Sequence, residues 1–500
     1  MASNSYSKLS LAFFCFSWLF ALGMGQPFQA VNLGAWLVAE GWMNPSLFAN
    51  IPNKDLLDGT QVQLKSPKLN MYLAAENGGG TVLIANRPSA SGWETFRLWR
   101  INESSFKLRV FNKEFVGLEN QGKGSNVVAV SNAADAAEVF QIVRKPDDPN
   151  RVRLKASNGL FLQAATASSV TADYGGNSDW GDQNPSVFTM QIVRTLQGEY
   201  QVTNGYGPEK APQIMRNHWS TYITEDDFRF MSENGINAVR IPVGWWIKYD
   251  PTPPKPFVGG SLQALDNAFI WAQNHNIKVI VDLHAVPGSQ NGNDHSATRD
   301  GFQEWGEPNI AETVSVIDFL AQRYADHPSL VAIELMNEPL APGVTHNTLS
   351  KFYQAGYNAV RKYTSTAYVI LSNRLGPASN KEFLRLARGL SRVVIDVHYY
   401  SLYSSDFEKL NVQQNIDLIN NQRASQLQEV TPSNGPLSFV GEWTAEWGVK
   451  NAGMGDYQRF AKAQIDIYGK ATFGWAYWSY KNVNHHWSLR WMISNNYIKL

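Results

Sequence analysis

Val331-Ala332-Ile333-Glu334-Leu335-Met336-Asn337-Glu338-Pro339 is an apolar run that turns polar at Asn337-Glu338 and is stopped by Pro339. Leu437-Ser438-Phe439-Val440-Gly441-Glu442-Trp443 ends in the same way. Taken as strands, these are Val331–Glu338 and Pro436–Trp443. Six more runs complete the set: Val31–Leu37, Ala238–Val243, Lys278–His284, Ala367–Asn373, Arg392–Tyr400 and Ala471–Tyr480. Short apolar runs bounded by polar residues read as buried strands. Helix-period stretches lie between them, including Ser261–Asn276, Ile310–Asp326, Thr348–Tyr363 and Val412–Glu429. Thr224-Glu225-Asp226-Asp227 has the form of a capping box, and Gly235 falls where a C-terminal cap belongs. Strands alternating with helices make parallel βαβ units. Eight such strands predict an α/β fold, a closed (β/α)8 TIM barrel rather than an open sheet.

Residues 59–199 read differently, with short β-type runs, many Gly and Asn turns and no helical period. They also repeat. Leu64, Leu108 and Leu154 open similar units, followed by Tyr72-Leu73, Phe115-Val116 and Phe161-Leu162, and each unit closes on Phe96, Phe140 or Phe188. Three copies spaced roughly 43 to 48 residues apart suggest an all-β trefoil, in which no copy buries its apolar face alone. The expected organisation is a signal peptide at 1–25, a barrel formed by 26–58 and 200–500, and the trefoil at 59–199. The trefoil is then inserted after the first barrel strand, on the side where substrate enters.

The strand ends carry the chemistry. Residues at the C-terminal ends of barrel strands converge on one mouth. Glu338 and Glu442 would face each other there, the minimum equipment for cleaving a glycosidic bond. Asn337 beside Glu338 can hold a sugar hydroxyl, and Gly441 relieves crowding beside a carboxylate. Arg240 is a charge inside the apolar run Val239-Arg240-Ile241-Pro242, so it requires an anionic partner at the mouth. His284 and His398 end strands three and six. Either alone reads as a hydrogen-bonded core histidine; together at one mouth they read as part of the site. Tyr400 and Trp478 have core packing as the competing reading. Desolvation and nearby negative charge should keep Glu338 protonated, while Arg240 keeps Glu442 ionised.

These residues resemble the signatures of glycoside hydrolase family 5, the cellulase-like retaining β-glycosidases: Asn337-Glu338-Pro339, Val440-Gly441-Glu442-Trp443, Val239-Arg240-Ile241-Pro242, Asp282-Leu283-His284 and His398-Tyr399-Tyr400. Asn32–Glu40, His218–Thr224, Pro287–Gly292 and Trp478-Ser479-Tyr480-Lys481 look like its exo-β-1,3-glucanase branch, and 59–199 resembles the fascin-like module of plant members. The resemblance implies catalytic roles for Glu338 as acid/base and Glu442 as nucleophile. It implies a supporting shell of Arg240, His284, Asn337, His398 and Tyr400, and substrate binding by Glu40 and Trp478. It implies a glucan exo-1,3-β-glucosidase acting on β-glucans or β-glucosides. After Gln290-Asn291-Gly292 the fungal enzymes carry an aromatic, where this chain has Asn293. That departure keeps open a broader β-glucosidase or transglucosidase on short oligosaccharides and aryl glucosides. A non-catalytic cell-wall carbohydrate-binding protein is the distant alternative.

With 43 basic and 43 acidic residues the formal net charge is zero, which favours neither nucleic acid nor an anionic membrane as partner. Aromatics reach 12%, with 17 Trp and 20 Tyr, suited to stacking on sugars and equally to filling cores. Lys8 followed by the apolar Leu9–Leu22 and by Gly23-Met24-Gly25 reads as a secretory leader, so an extracellular or cell-wall location is expected. Cys15, the one cysteine, lies inside it. Asn102-Glu103-Ser104 is a glycosylation sequon. The nine histidines form no HExxH pattern, and neither a metal nor another cofactor is expected. The expected state is a monomer, with contact between the trefoil and cell-wall polysaccharide an open role. Trp93, Trp99 and Trp180 are candidate sugar platforms, with Trp99 better suited to the repeat core.

Overall fold

The computed structural model describes residues 26–133, 138–176 and 179–500; the expected leader at 1–25 and Cys15 lie outside them. The first strand, β1 (Phe28–Asn32), is followed by the twelve strands of an inserted all-β region. These are β2 (Gln61–Ser66), β3 (Met71–Ala75), β4 (Thr81–Arg87), β5 (Thr95–Arg100), β6 (Ser105–Arg109), β7 (Phe115–Leu118), β8 (Val127–Ser131), β9 (Phe140–Lys145), β10 (Asp148–Lys155), β11 (Phe161–Thr166), β12 (Ser169–Tyr174) and β13 (Phe188–Arg194). Then come β14 (Ala238–Gly244), β15 (Lys278–Ala285), β16 (Leu330–Glu334), β17 (Tyr368–Ser372), β18 (Val393–Tyr399), β19 (Leu437–Trp443) and β20 (Gly474–Tyr477). β1 and β14–β20 close a parallel barrel in chain order.

The barrel strands are buried on both faces, which is why they read as continuous apolar runs. Outward residues such as Val239, Ile241, Val279, Val281, Val369 and Leu371 pack with the surrounding helices. Inward, each strand gives one residue to an apolar plug: Ala30, Ala238, Ile280, Ala332, Ile370, Val394, Phe439 and Ala476, joined by Phe473. Small and large side chains share this layer, as a closed barrel requires. Two positions further along each strand, on the same face, the residues are Asn32, Arg240, Asp282, Glu334, Ser372, Asp396, Gly441 and Trp478. The polar site stands directly on the apolar plug.

Three expected boundaries move. Val31–Leu37 is strand only to Asn32, because the chain turns at Ala35 (φ 58°), and Leu33–Leu37 is buried as loop. The fourth strand ends at Glu334, four residues before Glu338, whose φ of 46° is left-handed. The eighth is Gly474–Tyr477 alone. Val412–Glu429 is helical throughout, but changes hydrogen-bonding pattern over Ile419–Arg423. The capping box forms: Thr224 N–H donates to Asp227 Oδ2 at 2.9 Å, and Gly235 takes φ 83°.

In the inserted region β2, β5, β6, β9, β10 and β13 pair in a closed antiparallel ring. β3–β4, β7–β8 and β11–β12 are three hairpins attached to it. Of the repeat positions, Leu64, Leu108, Leu154, Phe96, Phe140 and Phe188 fall in its core at no more than 2% exposed, whereas Tyr72 and Phe161 are half-buried. No helix among the described residues is long and apolar enough to cross a membrane.

Gly474 holds the seam between the last strand and the first. Its φ is 130°, and a Cβ there would lie 2.2 Å from the Phe28 carbonyl oxygen. The three nearest atoms are all Phe28 backbone, so relaxation is costly. Gly474→Ala should lower stability by roughly 1–3 kcal/mol, read as a lower thermal unfolding midpoint; an unchanged midpoint would show that the seam tolerates a side chain.

Candidate active site

The strands converge on a cavity of about 530 Å³, walled by Glu40, Trp42, His284, Asn293, Asp294, His295, Glu338, Leu375, His398, Tyr400, Tyr403, Glu442, Trp478 and Trp487. Of the residues expected at the site, Glu338, Glu442, His284, His398, Tyr400, Glu40 and Trp478 are on this wall. Arg240 and Asn337 are wholly buried and do not line it. A carboxylate oxygen of Glu338, a ring nitrogen of His398 and a carboxylate oxygen of Glu442 lie within 4.8 Å of one another.

Glu442 reaches the mouth through an irregularity. The β18–β19 register shifts so that His398 pairs with Glu442, and the inward face passes from Gly441 to the next residue. Gly441 N–H donates to Asp396 Oδ1 at 2.7 Å, and a Cβ on Gly441 would fall 2.3 Å from that oxygen. The carboxylate that the glycine makes room for is therefore Asp396. Glu442 Oε1 accepts from Arg240 Nη1 at 3.1 Å, and Oε2 accepts from the Tyr400 hydroxyl at 2.6 Å.

Arg240 does find anionic partners. Its Nε and Nη2 donate to Glu334 at 2.7 and 2.9 Å, Nη2 to Asn337 Oδ1 at 2.7 Å and Nη1 to Asn32 Oδ1 at 2.9 Å. Asp282 lies 3.2 Å from Nη2 and also accepts from His284 Nδ1 at 2.6 Å. His284 stacks parallel to Trp478 at 5.4 Å, fixing the indole at the cavity wall. Glu40 accepts from the Trp42 indole at 2.9 Å, and burial raises its pKa well above the usual carboxylate range.

His398 is bound at both nitrogens, Nδ1 to Glu338 Oε1 at 2.7 Å and Nε2 to Asp396 Oδ2 at 2.9 Å. Two carboxylate acceptors require two N–H donors, which is the imidazolium. Burial opposes that charge, but Glu442 and Asp396 outweigh it and raise the pKa well above the ordinary histidine value. Burial likewise opposes ionisation of Glu338, yet the bond and charge of His398 prevail and hold it at about 2. Glu442 is raised, chiefly by burial, with Glu338 adding to it against His398, Arg240 and Tyr400. The shifts run opposite to the expected order, Glu338 down and Glu442 up, and the two bonds of His398 favour its imidazolium, one hydrogen bond from Glu338.

Sequence reading missed Glu334, Asp282, Asp396, His295, Trp42 and Trp487. A signal existed for two of them. Asp282-Leu283-His284 and Asp396-Val397-His398 put an acid and an imidazole two apart on one strand face, in hydrogen-bond reach. His295, whose Nε2 is 3.3 Å from Glu338 Oε2, lies on a loop and gave no periodic signal. The Glu338–His398–Glu442 and Glu334–Asp396–His398 groups have the spacing of metal ligands. His398 could ligate only by giving up an N–H that a carboxylate already holds.

Trp99 is not in the repeat core as expected. Its indole N–H donates to Asp300 of the barrel at 2.7 Å, and its ring packs edge-on against Phe115.

Residues 203–484 match the family described as cellulase (glycosyl hydrolase family 5), and residues 53–193 match a domain of unknown function. A glucan 1,3-beta-glucosidase of Blumeria graminis is 32% identical over 326 residues, covering 57% of this chain and 74% of the relative. A probable glucan 1,3-beta-glucosidase A of Aspergillus clavatus is 31% identical over 388 residues, covering 69% of this chain and 90% of the relative. Among solved structures, the rutinosidase from Aspergillus niger aligns with a TM-score of 0.53 at 18% identity, covering 60% of this chain and 88% of that one. That likeness concerns the fold.

Arg240 has no exposure, and its partners are equally dry. Removing it leaves several buried carboxylates without a counter-charge. Arg240→Met should cost about 3–5 kcal/mol, measured by denaturant unfolding, and Arg240→Lys should recover only part because the fork to Glu334 is lost. Full recovery by lysine would mean that charge alone, and not the guanidinium fork, holds the cluster.

Proposed function

The chain belongs to glycosyl hydrolase family 5 and is a glycosidase, and we propose that it removes terminal β-glucosyl residues from β-1,3-glucans and their oligosaccharides by double displacement. One observation carries the mechanism. Oxygens of Glu338 and Glu442 lie within 4.8 Å of each other, near the ~5–5.5 Å of double displacement and short of the ~6.5–9.5 Å that admits a water for direct inversion. The substrate class follows the names of the relatives.

Glu442 attacks the anomeric carbon as the glycosidic C–O bond breaks and Glu338 delivers a proton to the leaving oxygen. Water then attacks the glycosyl ester, gives its proton to Glu338 and releases glucose with its β configuration. His398 supplies the proton to Glu338. Glu442 is the largest charge that keeps His398 protonated, so turning Glu442 into a neutral ester frees that proton as the leaving group needs it. Tyr400 and Arg240 aim the nucleophile. Glu40 and Trp478, joined by Trp42, hold the glucose. Asn337, tied to Arg240 by its oxygen and reaching His284 Nε2 at 3.4 Å by its NH₂, positions both groups behind the cavity wall.

Residues 59–199 form a β-trefoil in this reading, on the strength of the six-strand ring and three hairpins, and 26–58 with 200–500 form the catalytic unit. A leader at 1–25 makes the protein secreted, and it works as a monomer on cell-wall or extracellular glucan. Asn293 favours a second reading: a polar amide on the cavity wall in place of an aromatic suits short oligosaccharides, aryl glucosides and transfer to alcohols. A panel of laminari-oligomers, gentiobiose and cello-oligomers, with a competing alcohol acceptor, separates the two; absence of cleavage of every β-1,3 oligomer overturns the first.

Glu442→Gln should lower kcat by about 10⁴-fold with an unchanged unfolding midpoint; near-normal turnover of an aryl β-glucoside would sink its role as nucleophile. His398→Asn removes the largest influence lowering the raised Glu442 pKa. Attack requires ionised Glu442, so the acid limb of the kcat/KM profile should move to higher pH; an unmoved limb would show that His398 carries no charge.

A further inference from the structure

The loop 286–305, which follows β15, has two faces. One face meets the chemistry. Asn293, Asp294 and His295 line the cavity. His295 Nε2 lies 3.3 Å from Glu338 Oε2, and the Asn291 amide donates to the Glu338 carbonyl at 3.0 Å and contacts His295 at 2.8 Å. The other face meets the inserted domain, none of whose described residues lines that cavity. Asp300 Oδ2 accepts from Trp99 Nε1 and from Arg109 Nη1, both at 2.7 Å, and its carbonyl accepts from Arg97 at 2.9 Å. Arg97 lies 3.6 Å over the Phe302 ring, and Arg109 reaches Glu304 at 3.0 Å. Asp300 has only 3% of its side chain exposed, so these are dry, charge-assisted bonds that hold geometry.

We propose that the inserted domain is a clamp for this reaction: Trp99 and Arg109, by locking Asp300, position the loop that carries His295 and Asn291 against Glu338. They are positioning residues for proton delivery to the leaving group, and they touch no substrate. The clamp rests on the reading of Glu338 as acid/base. Loosening it lets the loop shift, and a small displacement of a catalytic group costs much in rate. The loss falls on the step that needs the proton, bond cleavage to a poor leaving group. An activated aryl leaving group departs without one.

The full-length chain carrying Trp99→Phe, Arg109→Met or both keeps the aromatic and aliphatic packing and loses the donors to Asp300. Expected for the double variant is a tenfold or greater drop in kcat/KM on a β-linked glucose disaccharide. The drop should lie in kcat, with less than a threefold change on 2,4-dinitrophenyl β-glucoside, both read well below an unfolding midpoint that the unpaired Asp300 carboxylate lowers. Glu338→Gln is the reference and should show the same leaving-group selectivity, more strongly. If Glu338→Gln is selective and the clamp variants lose both substrates equally or neither, the clamp is overturned and the acid/base reading stands. If Glu338→Gln is not selective, that reading falls and takes the clamp with it. Should the double variant not fold, either single substitution reads out the same ratio.

Discussion

The guanidinium of Arg240 is wholly buried and is satisfied by Glu334, Asn337, Asn32 and Glu442, with Asp282 beside it. Glu338, Asp396 and Glu442 crowd the same space around His398. Five carboxyls thus face one guanidinium and one imidazolium, and a dry site cannot hold them all ionised. The strain shows in the carboxyls: Glu334 and Glu442 are both raised, burial being the largest cause in each. This imbalance makes the site reactive. A proton is retained inside it, and its location depends on which carboxylate is neutralised next.

Fold and site share a construction. The apolar plug from Ala30 to Ala476 seals the barrel below, and two residues on, the same inward faces present the polar layer that holds Arg240. The strands could not carry that layer in water, because each of its charges is stabilised by a neighbour on another strand. Barrel closure and charge neutralisation are therefore one event: a slip of register at β14–β15 or β15–β16 would separate Arg240 from Glu334 and leave both buried and unpaired.

This explains what could be read in advance. Apolar runs and helical periods report a residue's relation to its own element, so eight strands, their order and the threefold repeat were visible. Glu338 and Glu442 were visible because each follows such a run. Where a backbone departs from its element, reading failed: Glu338 in the left-handed region, Glu442 brought inward by a register shift, and Leu33–Leu37 buried as loop. The protonation order failed for a related reason. Counting charges near Glu338 in sequence gives repulsion, whereas the His398 N–H bond, the largest influence lowering it, comes from sixty positions away. The Asp-x-His pairs were local and could have been found.

The position of the insertion also has a physical reading. It leaves the barrel after β1, yet it grips the loop after β15, two strands round the barrel. The loop between, after β14, turns at once into Trp245–Tyr249, where Trp246 is buried against Phe257 at 4.1 Å. That loop is tied down by its own aromatic packing. The loop after β15 is longer and rich in Gly, Asn and Ser, with Ser289 and Ala297 at positive φ, and turns of that composition gain little order from themselves. It is held instead from outside, by a domain with a hydrophobic core of its own, to which the barrel segment 26–58 adds Leu56. A rigid body placed against a loop of low intrinsic order supplies what a catalytic wall requires, a fixed backbone, without adding a residue to the cavity itself.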